Sequence, residues 1–385
     1  MKVSIGTTTG FHLRRLAAEL HASGVDTTYF SAMPNFRLRH DGLSPDMSES
    51  LFWPLTPISA LALMRHLPGS LQDRAVQARF GAVDALIAKR LQPCDAFIGL
   101  SAMSVLSARK ARELGAKVVI ERGSRHVLSQ HDLLVAGGGA GLEPRYIERE
   151  LAGYAEADII TVLSSHAADS FVERGVERSR LFVCPLGVDL SVFRPTPRPS
   201  KPTSLLFVGA WSHRKGVDLL VEAVRRRADW RLTHVGTMAD AIFPDDRRIV
   251  SVGHRDHHGL AGIMADHHIL VLPSREDGFG MVLLEALASG LPVVASRMTG
   301  APDIQKMIDN TDYVGLTEAG DADDLLRGLD EMVAREASAP LDRERLSIAD
   351  RKALSWSSYG ARYQAFLEIL TGLSAGELAH GGAAA

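Results

Sequence analysis

Pro273-Ser274-Arg275-Glu276-Asp277-Gly278-Phe279-Gly280, continuing as Met281-Val282-Leu283-Leu284-Glu285, is the stretch on which the fold turns. Before it, Ile269 to Leu272 is an unbroken apolar run, the pattern of a strand buried on both faces. After it, Leu283 to Ala288 reads as a helix and Val293 to Ala295 as the next strand. Buried strand, acidic turn, Gly-x-Gly, helix and strand in that order make a parallel crossover unit. Gly278 and Gly280 let backbone N–H groups come close to a ligand. Asp277 and Glu285 stand eight residues apart across the turn. Both are expected to face the crevice beyond the strand ends, where open α/β sheets bind ligands. Two carboxylates aimed at one crevice suit sugar hydroxyls.

The same alternation extends in both directions. Ser204–Val208, Arg231–Val235 and Ile249–Val252 read as strands, with a helix over Val217–Arg226. Asp321 to Glu336 is helical, and Trp356 to Leu370 spaces Tyr359, Tyr363, Phe366 and Leu370 along one helix face. Towards the N-terminus, Lys2–Ile5 is a strand, Gly6 to Gly10 a loop, His12–Ala22 a helix and Thr27–Phe30 a strand. Helices over Leu71–Leu91 and Val105–Leu114 then alternate with strands over Ala96–Leu100 and Val118–Ile120. Asp158–Leu163 and Leu181–Cys184 add two more strands. Arg194 to Thr203, RPTPRPSKPT, holds four prolines and reads as a stiff linker. The expected plan is α/β with two Rossmann-like, doubly wound domains facing each other across a cleft. Residues 1–193 form the first, 194–203 the linker and 204–355 the second. A helix over 356–372 follows, and 373–385 is a loose tail.

Composition bounds the function. The 385 residues are 46% apolar and 23% charged, a globular balance, and the net charge of −3 gives no basic field to hold nucleic acid. Cys94 and Cys184 are the only cysteines, too few for a disulfide framework, which points to a reducing, cytoplasmic setting. The apolar run Leu51–Met64 contains Pro54 and Pro57 and falls short of the ~20 residues that span a bilayer. It reads as a loop and helix on the N-terminal core, with contact to lipid or acceptor as the alternative.

A second constellation is Phe207-Val208-Gly209-Ala210-Trp211-Ser212-His213-Arg214-Lys215-Gly216. A strand ends in small residues, and basic residues precede the next helix. Helix N-termini bind anions, and a lysine there can neutralise a diphosphate.

With these segments in view, the chain resembles glycosyltransferase family 4, retaining nucleotide-sugar enzymes of the GT-B fold, which implies that the helix over 356–372 crosses back to the first domain. Asp277 through Glu285 resembles the family's acid–seven–acid motif, and Ala286-Leu287-Ala288-Ser289-Gly290-Leu291-Pro292-Val293-Val294-Ala295 continues it. Pro185-Leu186-Gly187-Val188-Asp189 resembles the segment closing the family's first domain, and Ala157 to Ser164 fits the strand upstream. The resemblance implies that Glu285 meets the donor ribose and Asp277 the donor sugar, although the family usually has Glu at the latter place. It gives Lys215 to the diphosphate, with Arg214 as the nearest substitute for an arginine the family carries where Ala210 stands. The backbone of Gly209, Gly278, Phe279 and Gly280 would hold sugar and diphosphate. Val119 to His126 resembles a loop carrying a histidine near the reacting sugar, which makes His126 a catalytic candidate beside Asp277 and Lys215. Gly6, Thr9 and Gly10 correspond to the first-strand loop on the acceptor side. Arg255 follows the strand from Ile249 and falls where the fold meets the nucleobase.

The expectation is a retaining glycosyltransferase that uses a nucleotide diphosphate sugar, UDP- or GDP-linked, with no metal and no other cofactor. The acceptor is a saccharide or lipid-linked hydroxyl, as in bacterial polysaccharide or glycolipid assembly. Location is cytoplasmic, with peripheral contact to the inner membrane face. Arg14, Arg15, Arg37 and Arg39 could face anionic lipid. Two alternatives stay open: a GT-B sugar-nucleotide epimerase, and a non-catalytic sugar-nucleotide binder. No GxGxxG follows a first strand, which counts against an NAD oxidoreductase. Asp321-Ala322-Asp323 reads as a helix cap rather than a metal motif. His254, His257, His258, His267 and His268 are scattered by strand spacing.

Overall fold

The structure is a computed structural model that describes residues 1–8, 11–40, 42–56, 69–197, 199 and 203–372. Thr9 and Gly10, residue 41, residues 57–68 with all of the apolar run beyond Thr56, linker positions 198 and 200–202, and the tail from 373 lie outside the described residues. Two parallel sheets organise the rest. The first joins β1 (Lys2–Thr7), β2 (Asp26–Ser31), β3 (Ser48–Ser50), β4 (Ala96–Leu100), β5 (Lys117–Arg122), β6 (Ile159–Val162) and β7 (Leu181–Val183) in the order β3-β2-β1-β4-β5-β6-β7. The second joins β8 (Ser204–Val208), β9 (Arg231–Val235), β10 (Ile249–Ser251), β11 (Ile269–Leu272), β12 (Val293–Ser296) and β13 (Val314–Thr317) in the order β10-β9-β8-β11-β12-β13. Each order steps outward from the first strand and then reverses. The crevice where it reverses, between β1 and β4 and between β8 and β11, is where such sheets bind ligands.

Strands β4, β11 and β12 are almost wholly apolar because both faces are covered. Every residue of β4, β11 and β12 is buried. Burying each such side chain is worth roughly 1.5–3 kcal/mol, which overcomes the weak intrinsic preference of four- or five-residue strands.

The helix Trp356–Thr371 follows the second domain but lies on the first. It packs along Phe11–Ala22, with Gly360 against the side chain of Glu19. Tyr359, Tyr363 and Leu367, four residues apart, form its buried stripe. Ser355 caps its start by accepting from the Ser358 N–H at 3.1 Å.

Several elements escape the sequence reading. Helices at Val127–Ala136, Pro144–Glu156, Ser165–Val172 and His257–Ala265 were not anticipated, nor were the short strands β3 and β13. Val127–Ala136 has little apolar–polar periodicity, and β13 carries Gly315, so packing rather than local preference decides both. Gly6 lies inside β1 instead of the loop after it. A side chain on Gly6 would press on Ile87 and Phe97, so this glycine faces the core and not the acceptor side.

Candidate active site

Two cavities adjoin at Val208, the last residue of β8. The first, about 550 Å³, lies beyond the ends of β8, β9 and β10 and is lined by Gly209, Ala210, Gly236, Thr237, His254, Arg255, His257 and Glu285. The second, about 500 Å³, lies between the domains. Asp277, Phe279 and Gly280 line it from one side, and His12, Ser101, Arg122 and Ser124 from the other. The structure therefore places Gly209, Arg255 and Glu285 in one chamber, and Asp277, Phe279 and Gly280 in the next.

Lys215 joins the two turns. It is buried in the single helical turn His213–Lys215, and its Nζ pairs with Asp277 Oδ2. Arg214 turns elsewhere: its Nη1 donates to the Glu276 carbonyl at 2.7 Å and to Glu276 Oε2 at 3.0 Å. Arg214 thus supports the acidic turn and is not among the cavity-lining residues, a departure from its expected place on the donor.

The acidic turn meets the first domain through its backbone. Gly278 sits so close to the Gly123 carbonyl oxygen that a Cβ would overlap it. Its own carbonyl accepts from Ser164 Oγ at 2.7 Å, and the Asp277 carbonyl lies 2.8 Å from His166 Nε2. Gly280 has φ of 78°, a left-handed conformation that a side chain would strain. Glu276 has no exposed surface and accepts from Ser124 Oγ at 3.2 Å across the gap, while Asp303 accepts from the Ser165 N–H at 2.7 Å. Glu276 and the 164–166 corner are contacts that sequence spacing did not reveal.

Glu285 is buried at the start of Val282–Ala288, and His257 Nδ1 lies 3.3 Å from its Oε1. That hydrogen bond and charge raise the His257 pKa above its ordinary value.

His126 is the main correction. It is buried and caps Val127–Ala136, its Nδ1 accepting from the Leu128 N–H at 3.2 Å. Its ring packs on Phe171 at 4.9 Å and Tyr154 at 5.3 Å. Burial, with Arg174 and Arg122 nearby, pushes its pKa down to about 4. Beyond β5 the chain turns away from the cleft before it reaches residue 126. The histidine that lines the cleft is His12, the second residue of Phe11–Ala22. Its position after a glycine-flanked loop was a sequence signal passed over. Of the other histidines, His254 and His257 line the first cavity, and His267 serves locally, bonding Ile263 and Thr233 at 2.7 Å each. Asp321 accepts from the N–H groups of Asp323 and Asp324 as a cap. No described helix is long and apolar enough to cross a membrane.

Residues 202–335 match the family model described as glycosyl transferases group 1, and residues 7–187 match the glycosyl transferase 4-like domain. The chain is 28% identical over 227 residues to an MMP alpha-(1->4)-mannosyltransferase of Mycolicibacterium hassiacum, covering 55% of this chain and 54% of that one. It is 32% identical over 167 residues to a D-inositol 3-phosphate glycosyltransferase of an Arthrobacter species, covering 37% and 40%. The chain spans about half the length of the curated relatives it matches. Among solved structures, a sucrose-phosphate synthase from Thermosynechococcus elongatus superposes with a TM-score of 0.68 at 20% identity, covering 97% of this chain and 100% of that one. Anabaena HepE in complex with UDP and glucose superposes at 0.64 with 15% identity, covering 96% and 100%. These likenesses show the GT-B fold: two Rossmann-like domains, each built on a parallel sheet.

Proposed function

The chain belongs to the glycosyl transferases group 1, and we propose that it transfers a sugar from a nucleotide diphosphate sugar to an acceptor hydroxyl with retention of configuration. The observation that carries this reading is the pair of cavities meeting at Val208, with Asp277, which lines the second, paired to Lys215 behind it. In this reading the nucleoside occupies the first chamber. Glu285 accepts from ribose hydroxyls there, and Arg255 lies along the base. The diphosphate crosses at Gly209 and Lys215, and the sugar enters the second chamber against Asp277, Phe279 and Gly280. Lys215 and the backbone at Gly278–Gly280 stabilise charge growing on the leaving diphosphate, a preorganised electrostatic effect that needs no metal.

Transfer breaks the bond from the anomeric carbon to phosphate oxygen and forms one to the acceptor oxygen on the same face. The acceptor proton passes to the leaving phosphate. The interdomain contacts of Gly278, Ser164 and Glu276 describe a closed cleft that keeps water from this step. The acceptor is a saccharide or lipid-linked hydroxyl from polysaccharide or glycolipid assembly, reached in the cytoplasm with peripheral contact to the membrane.

The test is a thermal-shift screen against UDP-, GDP-, ADP- and dTDP-sugars, since a ligand that binds only the native state raises Tm. The stabilising donor is then incubated with and without acceptors. Transfer only with an acceptor supports the reading. A new nucleotide sugar without acceptor means an epimerase, and binding with no turnover across the panel means a binding protein.

A further inference from the structure

We propose that Glu121 is a positioning residue that holds the His12 imidazole at the cleft wall, and that Tyr363 of the C-terminal helix holds Glu121 in turn. This rests on the reading of that cleft as the place where sugar and acceptor meet. Glu121 is the penultimate residue of β5, follows the apolar run Val118–Ile120, and has no exposed surface. Its two oxygens are divided. Oε1 lies 3.0 Å from His12 Nε2. Oε2 accepts from Tyr363 O–H at 3.0 Å and from Thr161 Oγ1, which sits opposite Glu121 in the β5–β6 register. Among the described residues, no Lys or Arg pairs with it, and His12 is its one ionic partner.

A buried carboxylate without a cation is costly, and it is retained only where its oxygens are satisfied. Burial pushes Glu121 up, but the bonds from His12, Thr161 and Tyr363 outweigh it and hold the carboxyl below its ordinary value. An ionised carboxylate only accepts, so the proton between it and His12 lies on Nε2. With the ring neutral, Nδ1 is left as an acceptor for a sugar or acceptor hydroxyl. A histidine oriented by a carboxylate that is itself anchored follows the general logic of oriented bases.

Other charged groups near this ring are accounted for. Arg122, which also lines the cleft, is taken by Glu150 at 2.5 Å and by Tyr146 at 3.0 Å. Asp277 on the facing domain is paired with Lys215. Cys184 and Tyr359 lie near Glu121, and burial raises the pKa of both, so neither carries charge near neutrality. The helix that crosses between domains thereby becomes part of the active site's support.

Histidine-labelled full-length protein tests this by NMR, with H12Q used to assign the resonance. His12 is expected in the Nε2–H tautomer when neutral, and folded E121Q should show a mixture of both tautomers. An Nδ1–H tautomer in wild type, or an unchanged tautomer in folded E121Q, overturns the proposal. These readings need no substrate, so they stand or fall apart from the glycosyl-transfer reading. With the donor chosen by the thermal-shift screen, Y363F should lower kcat about five-fold with donor KM unchanged. It should have no further effect in H12Q. The same loss in the H12Q background overturns the relay.

Discussion

Lys215 Nζ and Asp277 Oδ2 form an ion pair that joins the turn after β8 to the acidic turn after β11. The carboxylate occupies the lysine that the reading above assigns to a diphosphate. K215A should therefore lower turnover by about 10²–10³-fold, the usual cost of removing a preorganised donor. D277N should instead bind UDP at least as tightly as wild type, because it frees the lysine, while turnover falls. Steady-state kinetics and UDP calorimetry read both. Wild-type turnover in K215A would remove Lys215 from the mechanism.

Glu285 has a narrower proposed role, at the donor ribose. It is buried in the first chamber, and among the described residues His257 is its one ion-pair partner. A charged acceptor bonded to ribose is worth about 1.5–3 kcal/mol, so E285A should weaken donor binding roughly 10–150-fold. The thermal shift produced by the donor should shrink accordingly. An undiminished shift would move the ribose elsewhere.

The His257–Glu285 pair sets a pH dependence. The folded His257 pKa is raised, so its stabilisation is fully present below its unfolded value, ~6.5, and is lost as pH rises through the folded value. The imidazole is largely exposed, which limits the effect to under about 1 kcal/mol. Thermal unfolding of wild type and H257Q should differ at pH 6 and converge by pH 9. A difference that grows with pH contradicts the pairing.

His126 behaves oppositely. Its pKa is held near 4 in the folded chain, so the unfolded chain takes the proton first. Stability should fall as pH drops from ~6.5 towards 4, and H126N, which keeps a capping side chain, should lessen that fall. H126A should lose about 2–4 kcal/mol of stability through the cap and the ring contacts with Phe171 and Tyr154. Turnover of folded H126A should stay near wild type. A loss beyond ten-fold in folded protein would restore the catalytic reading.

Gly278 faces the Gly123 carbonyl with no room for a Cβ. Both atoms in that approach are backbone, so G278A must part the domains there. Small-angle scattering should give a larger radius of gyration than wild type, with turnover reduced at least ten-fold. An unchanged radius with full activity would show that the cleft closes differently.

Much of this was legible in the sequence. The unbroken apolar strands Ala96–Leu100 and Ile269–Leu272 could only be central strands of covered sheets, and the structure gives them those bounds. Asp277, Gly280 and Glu285 could be placed beside a crevice from local spacing across one turn, and each lines one of the two cavities. Arg255, which follows a strand end, lines the first cavity. Gly6 and His126 were misplaced for the converse reason. Whether a residue near a strand end faces core or cleft depends on where the strand stops and which way the chain then turns. The strands β1 and β5 each run two residues beyond the predicted end.

The sequence by itself determined the two parallel sheets, the acidic Gly-x-Gly turn and the basic turn that answers it. These follow from periodicity, backbone freedom and charge within short windows. Tertiary structure alone decided that His12 and not His126 lines the cleft, that Lys215 meets Asp277, and that Tyr363 reaches Glu121 from 242 residues away. The physical reason is that a buried charge must find its partner in space. Which partner it finds is fixed by the packing of helices on sheets, and no spacing along the chain encodes it.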